Sequence, residues 1–275
     1  MPKNETMHKN ATLLLGMGAQ RCGTTWLGTH LRSHPDIYMS AIKEMHFFVD
    51  PKYPNTWNQQ FMENRLAKAK TGSEKLARAF SQRIKIGTSA THGIVDYINF
   101  FQQGWDEQSY YCEITPSYMF LPAEELRKIK TAFPHLKIIF LMRDPIARLW
   151  SMLRFNYRGK DEGQMIDFAA SCLNHREYSA RCDYRTALEN LDAVFYSEQV
   201  FIGFYEDMFD GDLLNRLYAF LGVDPIVANT ERRPNSSKTA HLPDELANYF
   251  AAELMPQYKY ARSRFGDKVP EGWLF

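Results

Sequence analysis

Short apolar runs alternate with amphipathic stretches along the chain, which predicts alternating strands and helices. Residues 12–16 (TLLLG) and 136–142 (LKIIFLM) have the continuous apolar character of strands buried on both faces of a sheet. Shorter runs at 37–40, 110–114 and 200–204 predict further strands. Helices are predicted at residues 24–33, 58–70, 122–133, from 145 onward, 213–221, and 243 to about 264. We therefore expect a single α/β domain with a central parallel sheet covered by helices, in which ligands bind at the carboxyl ends of the strands.

Composition and charge exclude several classes of partner. The 275 residues are 45% hydrophobic and 24% charged, which is typical of a globular domain spanning residues 1–275, with a flexible start at 1–10. The 33 basic and 32 acidic residues nearly balance, so charge gives no reason to expect nucleic acid or an anionic membrane as a partner. No apolar run approaches the roughly 20 residues of a membrane helix, and residues 1–10 lack a signal-peptide core. We expect a cytoplasmic protein, and its oligomeric state stays open.

Four cysteines, at positions 22, 112, 172 and 182, form no CxxC pair, so a zinc site is not expected. Cys172 and Cys182 could form a disulfide, but free thiols are the simpler expectation in a reducing cytoplasm. The candidate chemistry therefore lies elsewhere in the chain.

The first candidate site is the loop between the strand at 12–16 and the helix at 24–33. Residues 16–26 read GMGAQRCGTTW, with G-x-x-x-x-G-T-T beginning at Gly18. Glycines let the backbone approach a phosphate, and a helix N-terminus offers N–H groups and the positive end of its dipole. A nucleoside-triphosphate loop has lysine at the position of Thr24, whereas here the cation is Arg21. No acidic residue after an apolar strand is well placed to hold a metal, so the pattern predicts a metal-free anion site.

A second candidate site follows the strand at 136–142. Arg143 comes directly after this strand, and Ser151 lies two turns into the next helix. Because the carboxyl ends of parallel strands meet at one edge of a sheet, Arg143 is expected on the same rim as the glycine loop. An arginine fork and a serine hydroxyl would suit a second phosphate. The alternative is a salt bridge between Arg143 and its neighbour Asp144.

Together these segments resemble the sulfotransferases that use 3′-phosphoadenosine 5′-phosphosulfate (PAPS). Residues 18–26 (GAQRCGTTW) resemble the 5′-phosphosulfate loop of that family, and Arg143 with Ser151 resembles its 3′-phosphate site. Two more segments are similar to those of the heparan sulfate sulfotransferases, and two to a late segment of the family: 43–48 (KEMHFF), 113–118 (EITPSY), 205–208 (YEDM) and 220–223 (FLGV). The matches occur in the expected order, from about residue 12 to 240.

The resemblance implies a fold related to nucleotide kinases, PAPS as the donor, adenosine 3′,5′-bisphosphate (PAP) as the product, and no metal. The donor-binding residues that it implies are Arg21, Cys22, Gly23, Thr24, Thr25, Trp26, Arg143, Ser151, Ser237 and Lys238. Trp26 matches the position from which cytosolic sulfotransferases stack on adenine. Ser237 and Lys238 fall where the family has a basic loop over the 3′-phosphate.

Charge development during sulfuryl transfer assigns the catalytic roles. Negative charge builds on the leaving phosphate and on the sulfuryl oxygens, and Arg21 is the candidate cation that stabilises it. Arginine does not donate a proton near neutral pH, so this role is electrostatic. Glu44 matches the carboxylate base of the heparan sulfate enzymes. His46 is the alternative base, because cytosolic sulfotransferases use histidine and residues 44 and 46 share a face of an extended segment.

The sequence also departs from the heparan sulfate pattern. Ile114 stands where those enzymes carry a lysine that holds an anionic polysaccharide. The acceptor is therefore predicted to be a neutral saccharide, a lipid-linked sugar, a phenol or a small metabolite. Two other functions compete with sulfuryl transfer: a magnesium-dependent nucleotide or small-molecule kinase, and a nucleotide-binding protein without catalysis.

Overall fold

Parallel strands form the sheet at the centre of the fold. The computed structural model describes residues 10–49, 59–87, 93–209, 212–227 and 241–273. Within these ranges the strands are β1 (Thr12–Gly18), β2 (Ile37–Met39), β3 (Tyr110–Ile114), β4 (Leu136–Met142) and β5 (Val200–Phe204). They pair in the order β2-β3-β1-β4-β5, all in parallel. The predicted α/β fold with a central parallel sheet is confirmed, and β1 continues to Gly18 rather than ending at Gly16.

Helices flank this sheet. In the described ranges they are α1 (Thr24–Ser33), α2 (Gln59–Lys70), α3 (Glu74–Lys85), α4 (Ile94–Gln102), α5 (Ala123–Ala132), α6 (Pro145–Asn156), α7 (Glu162–Ala169), α8 (Arg176–Cys182), α9 (Tyr184–Asp192), α10 (Asp212–Leu221) and α11 (Asp244–Phe265). Six of these match predicted helices within a residue or two, although position 58 lies outside the described residues. The other helices, α3, α4, α7, α8 and α9, were not predicted.

The strand order creates a crevice between β1 and β4. After β1 the chain continues through α1 to β2, at one edge of the sheet. After β4 it continues to β5, at the opposite edge. Ligands of open parallel sheets bind where the connections diverge in this way, outside the carboxyl ends of the strands. Both candidate anion segments begin at this point.

The core explains why β1 and β4 are apolar throughout. Leu13, Leu14 and Leu15 of β1 are fully buried, as is the run from Ile138 to Met142 in β4. All four cysteines are also buried and are free thiols. Burial raises the pKa of Cys22 to about 11 despite its contact with Tyr184. The cysteines therefore contribute packing, and Cys172 is not bridged to Cys182.

Candidate active site

The loop after β1 turns sharply into α1. Arg21 and Gly23 both take left-handed backbone conformations, with φ of 71° and 78°. No side chain caps the first turn of α1, which begins with Thr24 and Thr25. This open helix N-terminus can therefore donate backbone N–H groups to an anion held above the loop.

Both the backbone conformation and the neighbouring side chains favour glycine at position 23. A Cβ at this position would lie 2.3 Å from Sδ of Met208, a fully buried side chain, and 3.1 Å from Cδ2 of Tyr205. We expect Gly23→Ala to lower the free energy of unfolding by about 2–4 kcal/mol, because a left-handed backbone and an overpacked core each add to the cost. Chemical denaturation would measure this loss.

Gly159→Ala is the matched control for that substitution. Gly159 has a φ of 77°, but a Cβ there would meet no atom within 4 Å. Only the backbone penalty of about 1–2 kcal/mol should remain. Equal losses in the two variants would show that the contact with Met208 costs nothing.

The two candidate anion segments meet at one rim. Nε of Arg21 donates a hydrogen bond to Oγ of Ser151 at 3.1 Å. Nη1 of Arg143 donates to the backbone carbonyl of Arg21 at 3.3 Å. Burial lowers the pKa of Arg21, and the positive charges of Arg143 and Arg154 lower it further. These neighbouring cations favour a bound anion, and Arg21 and Arg143 are close enough to contact one ligand.

Arg143 does not form the salt bridge that its sequence neighbour suggested. The carboxylate of Asp144 instead caps α6 by accepting from the backbone N–H of Ala147 at 2.7 Å, and it accepts from the Tyr258 hydroxyl at 2.6 Å. Among the described residues no carboxylate pairs with Arg143, whose guanidinium lies 4.2 Å from the centroid of the Tyr205 ring. Its charge is thus available to a ligand.

Trp26 lies deeper than an adenine-stacking residue would. It is only 3% exposed, and its ring centroid lies 4.0 Å from that of His30 and 6.0 Å from that of Phe209. Its indole N–H is buried and has no hydrogen-bond partner in the described part of the chain. Stacking on adenine would require these neighbouring rings to move. Ser237 and Lys238 lie outside the described residues.

A buried network shapes the segment that carries Glu44 and His46. The fully buried carboxylate of Glu113 accepts hydrogen bonds from the hydroxyls of Tyr97 at 2.7 Å, Thr115 at 2.8 Å and Tyr118 at 2.9 Å. Tyr118 Oη in turn accepts from the backbone N–H of Phe47 at 2.9 Å, and Thr115 Oγ1 from that of His46 at 3.3 Å. Residues 44 and 46 have positive φ values of 67° and 52°. The network therefore fixes a backbone geometry that the sequence alone disfavours.

The Glu44 carboxylate lies between two cationic or potentially cationic groups. Its Oε1 is 2.7 Å from Nζ of Lys43, and its Oε2 is 3.6 Å from Nε2 of His46. Burial would raise the pKa of Glu44, but His46 and the charge of Lys43 outweigh it and lower this pKa to about 2. Glu44 is therefore ionised at neutral pH.

Ser117 completes this arrangement on the other side of the imidazole. Its Oγ lies 3.0 Å from Nδ1 of His46. The negative charge of the Glu44 carboxylate, 3.6 Å from Nε2, attracts an N–H group, so the imidazole proton is assigned to Nε2. Nδ1 then carries the lone pair and accepts from the Ser117 hydroxyl.

A cavity of about 260 Å³ joins these groups to the glycine loop. Its polar lining includes Glu44, His46 and Ser117 at one part and Gln20 and Arg181 at another. Its apolar lining includes Met119, Phe120 and Met152. Because Gln20 directly precedes Arg21, the cavity adjoins the loop where a transferred group would be held.

The sequence analysis assigned no role to Ser117, Gln20 or Arg181, which line this cavity. Ser117 lies within the 113–118 match and Gln20 within the glycine loop, so motif position could have indicated both. Arg181 belongs to α8, about 160 residues further along the chain, and Nε donates to Oε1 of Gln20 at 2.7 Å. No local pattern could have connected these two.

Comparison with protein families identifies the chain. The family model described as "Sulfotransferase family" matches residues 14–226, well over half of the sequence. The chain belongs to the sulfotransferase family. The match includes the glycine loop, residues 43–48 and the Arg143–Ser151 segment. It does not separate the branches of the family, so the resemblance to the heparan sulfate enzymes stays a prediction.

Two solved structures share the fold of this sulfotransferase. A sulfotransferase from Alicyclobacillus acidocaldarius is similar at 22% identity and a TM-score of 0.63, covering 91% of this chain and 94% of that one. The sulfotransferase domain of the olefin synthase from Synechococcus PCC 7002 is similar at 17% identity and a TM-score of 0.51, with coverage of 91% and 94%. None of the curated proteins compared with the sequence matches it.

Two further properties concern the described residues alone. Not one of their helices combines the length and the apolar character needed to span a membrane. They also contain no group of three or more His, Cys, Asp or Glu residues arranged to hold a metal ion.

Proposed function

We propose that this sulfotransferase moves a sulfuryl group from PAPS to a hydroxyl or amine of a small acceptor or saccharide. The observation that carries the proposal is the junction of Arg21, Ser151 and Arg143 at the carboxyl ends of β1 and β4. This junction adjoins a cavity that contains Glu44 and His46. The proposal places the donor at this junction and the acceptor in the adjoining cavity.

The donor is proposed to bind across this rim. Backbone N–H groups of residues 23–25 and the N-terminus of α1 would bind the 5′-phosphosulfate, with Arg21 beside them. Arg143 and Ser151 would bind the 3′-phosphate. Because Ser151 already accepts a hydrogen bond from Arg21, donor binding would exchange this bond for contacts with phosphate oxygens.

The transfer itself is proposed to be an in-line displacement. An acceptor oxygen or nitrogen attacks sulfur, a new bond forms to sulfur, and the bond between sulfur and the bridging phosphate oxygen breaks. PAP leaves with the electron pair of that bond. Arg21 stabilises the charge that develops on the leaving phosphate and the sulfuryl oxygens.

The proton of the acceptor is proposed to pass to the Glu44–His46 pair. Sequence interpretation favoured Glu44 as the base, but a carboxylate with a pKa of about 2 accepts a proton poorly near neutral pH. This favours the alternative, in which His46 takes the proton and Glu44 stabilises the imidazolium. Ser117, hydrogen-bonded to Nδ1 of His46, can relay the proton.

Arg143→Ala should weaken PAP binding by roughly tenfold to a hundredfold, as expected for lost hydrogen bonds to a charged group. Calorimetric titration would measure the affinity. Arg78→Ala removes an exposed arginine paired with Glu74 in α3, and it should leave PAP affinity unchanged. Equal PAP affinity in the Arg143 variant and the wild type would contradict the proposed 3′-phosphate site.

One comparison of ligands separates the three candidate functions. Stabilisation of the purified protein by PAP, with no effect of ATP and Mg²⁺, is expected for a sulfotransferase and excludes the kinase. Incubation with ³⁵S-labelled PAPS and a cell extract should then label an acceptor. PAP binding without any labelled product would favour the non-catalytic nucleotide-binding protein.

A further inference from the structure

Arg181 is a buried cation without a counterion. It is 3% exposed, yet none of the carboxylates in the described ranges forms an ion pair with it. Its Nε donates to Gln20, and its Nη1 donates to the backbone carbonyl of Glu177 at 2.6 Å. A buried arginine without a negative partner is costly, and such residues are nearly always paired.

Two charged neighbours act on Arg181 in opposite directions. Arg148 is also fully buried, and its Nη2 donates to the thiol of Cys182, not to a carboxylate. Burial lowers the pKa of Arg181, the carboxylate of Glu177 opposes this effect, and Arg148 reinforces it. Glu177, which also lines the cavity, therefore offsets part of the positive charge, but it forms no ion pair with Arg181 among the described residues.

The guanidinium also has an unused hydrogen-bond donor. Among the described residues no atom accepts from Nη2 of Arg181, although Nε and Nη1 are both engaged. Those two bonds and the Phe120 ring, 5.3 Å from the guanidinium carbon, hold the side chain in place. Arg181 is also among the residues that line the cavity.

We propose that Arg181 binds an oxyanion of the substrate at the end of the cavity next to Gln20, an inference that rests on the proposed sulfuryl transfer. Two sources provide this chemistry. One is the sulfuryl group of the donor, which arrives beside the residue that follows Gln20. The other is a carboxylate, sulfate or phosphate substituent on the acceptor. Two carboxylates, those of Glu44 and Glu177, also line the cavity. Glu44 is paired with Lys43, so it repels such an anion less.

This role differs from the lysine that the heparan sulfate pattern places at position 114. Ile114 is fully buried in β3 and is not among the residues that line the described cavity. Arg181 supplies a single cation from a different element, α8. One recessed guanidinium suits one oxyanion in a cavity of about 260 Å³, and not the repeated charges of a polysaccharide.

The test compares Arg181→Gln with Arg185→Gln. The second variant removes the same charge from an exposed arginine in α9 that is paired with Glu189. Inorganic sulfate is titrated into each variant, with and without saturating PAP, against chloride at equal ionic strength. We expect sulfate affinity to fall roughly tenfold to a hundredfold in Arg181→Gln and to stay unchanged in Arg185→Gln. Unchanged sulfate affinity in Arg181→Gln would overturn the proposal.

Two further arms identify the source of the oxyanion. If the sulfuryl group is bound, Arg181→Gln loses affinity for PAPS but not for PAP. If an acceptor substituent is bound, the variant loses affinity for phenylacetate but not for the neutral 2-phenylethanol. Either result supports an oxyanion site. If the variant keeps its affinity for both PAPS and phenylacetate, Arg181 is a structural residue and the proposal is wrong.

The experiment distinguishes an error in the proposed PAPS donor from an error in the proposed role of Arg181. If PAP binds to no variant, the proposed function is wrong, and the sulfate titration without PAP still decides the role of Arg181. Should Arg181→Gln fail to fold, a wild-type crystal soaked in selenate replaces it. An anomalous peak beside the Arg181 guanidinium is then expected, and its absence there would refute the site.

Discussion

Replacement of His46 by glutamine is expected to lower turnover by roughly 10²- to 10⁴-fold, the contribution typical of a positioned base. The expectation follows from the contacts of the imidazole, with Ser117 3.0 Å from Nδ1 and the Glu44 carboxylate 3.6 Å from Nε2. Glu44→Gln should cost less, roughly tenfold to a hundredfold, because it removes only a negative charge beside the imidazole. PAP affinity should be unchanged in both variants, since neither side chain lies at the junction of Arg21, Ser151 and Arg143 where the donor is proposed to bind.

The double variant shows whether the two residues act as one unit. If His46 takes the proton with the help of Glu44, the double variant should be no slower than His46→Gln alone, since coupled residues are not additive. The lowered pKa of Glu44, about 2, also predicts how its contribution to turnover changes with pH. Its charge is present above that value and is lost only as the pH falls through it. A mild loss in His46→Gln beside a severe loss in Glu44→Gln would make Glu44 the base.

The strands could be predicted from the sequence because both faces of this sheet are buried. The run LKIIFLM in β4 has no polar alternation, which is a property of central parallel strands. The helices missed by prediction were of two kinds. The seven-residue α8 is too short for a helical period to emerge. In contrast α3 has a clear amphipathic pattern and a serine cap at Ser73, so its signal was present but unused.

The candidate site was predictable only where it depends on the strand ends. Arg143 follows β4 directly and Arg21 lies in the loop just after β1, so parallel pairing brings them to one rim. The depth of Trp26 depends on Phe209, far along the chain, and no local pattern reports it. The partners of Glu113 likewise come from separate elements, and Arg181 reaches Gln20 from α8. Side-chain packing between distant segments decides these features.

The left-handed backbone at Arg21 explains why the direction of its side chain could not be predicted from the sequence. With a φ of 71°, its backbone directs the side chain towards α6, where Nε contacts Ser151 and the guanidinium lies 4.6 Å from the centroid of the Phe155 ring. This arginine therefore lies between the two proposed phosphate sites. Its proposed role in catalysis requires the side chain to turn from Ser151 to the transferred group.

Arg21→Gln is expected to lower kcat by roughly 10²- to 10³-fold, the loss typical when a donor to developing negative charge is removed. The glutamine still reaches Ser151 and keeps a hydrogen-bond donor, so the substitution isolates the positive charge. Arg21→Lys keeps that charge and should retain most of the rate, and it serves as the matched control. Single-turnover transfer from ³⁵S-labelled PAPS separates this chemical step from donor affinity. A large loss of PAP affinity with an unchanged single-turnover rate would mean that Arg21 binds the nucleotide and does not stabilise the transition state.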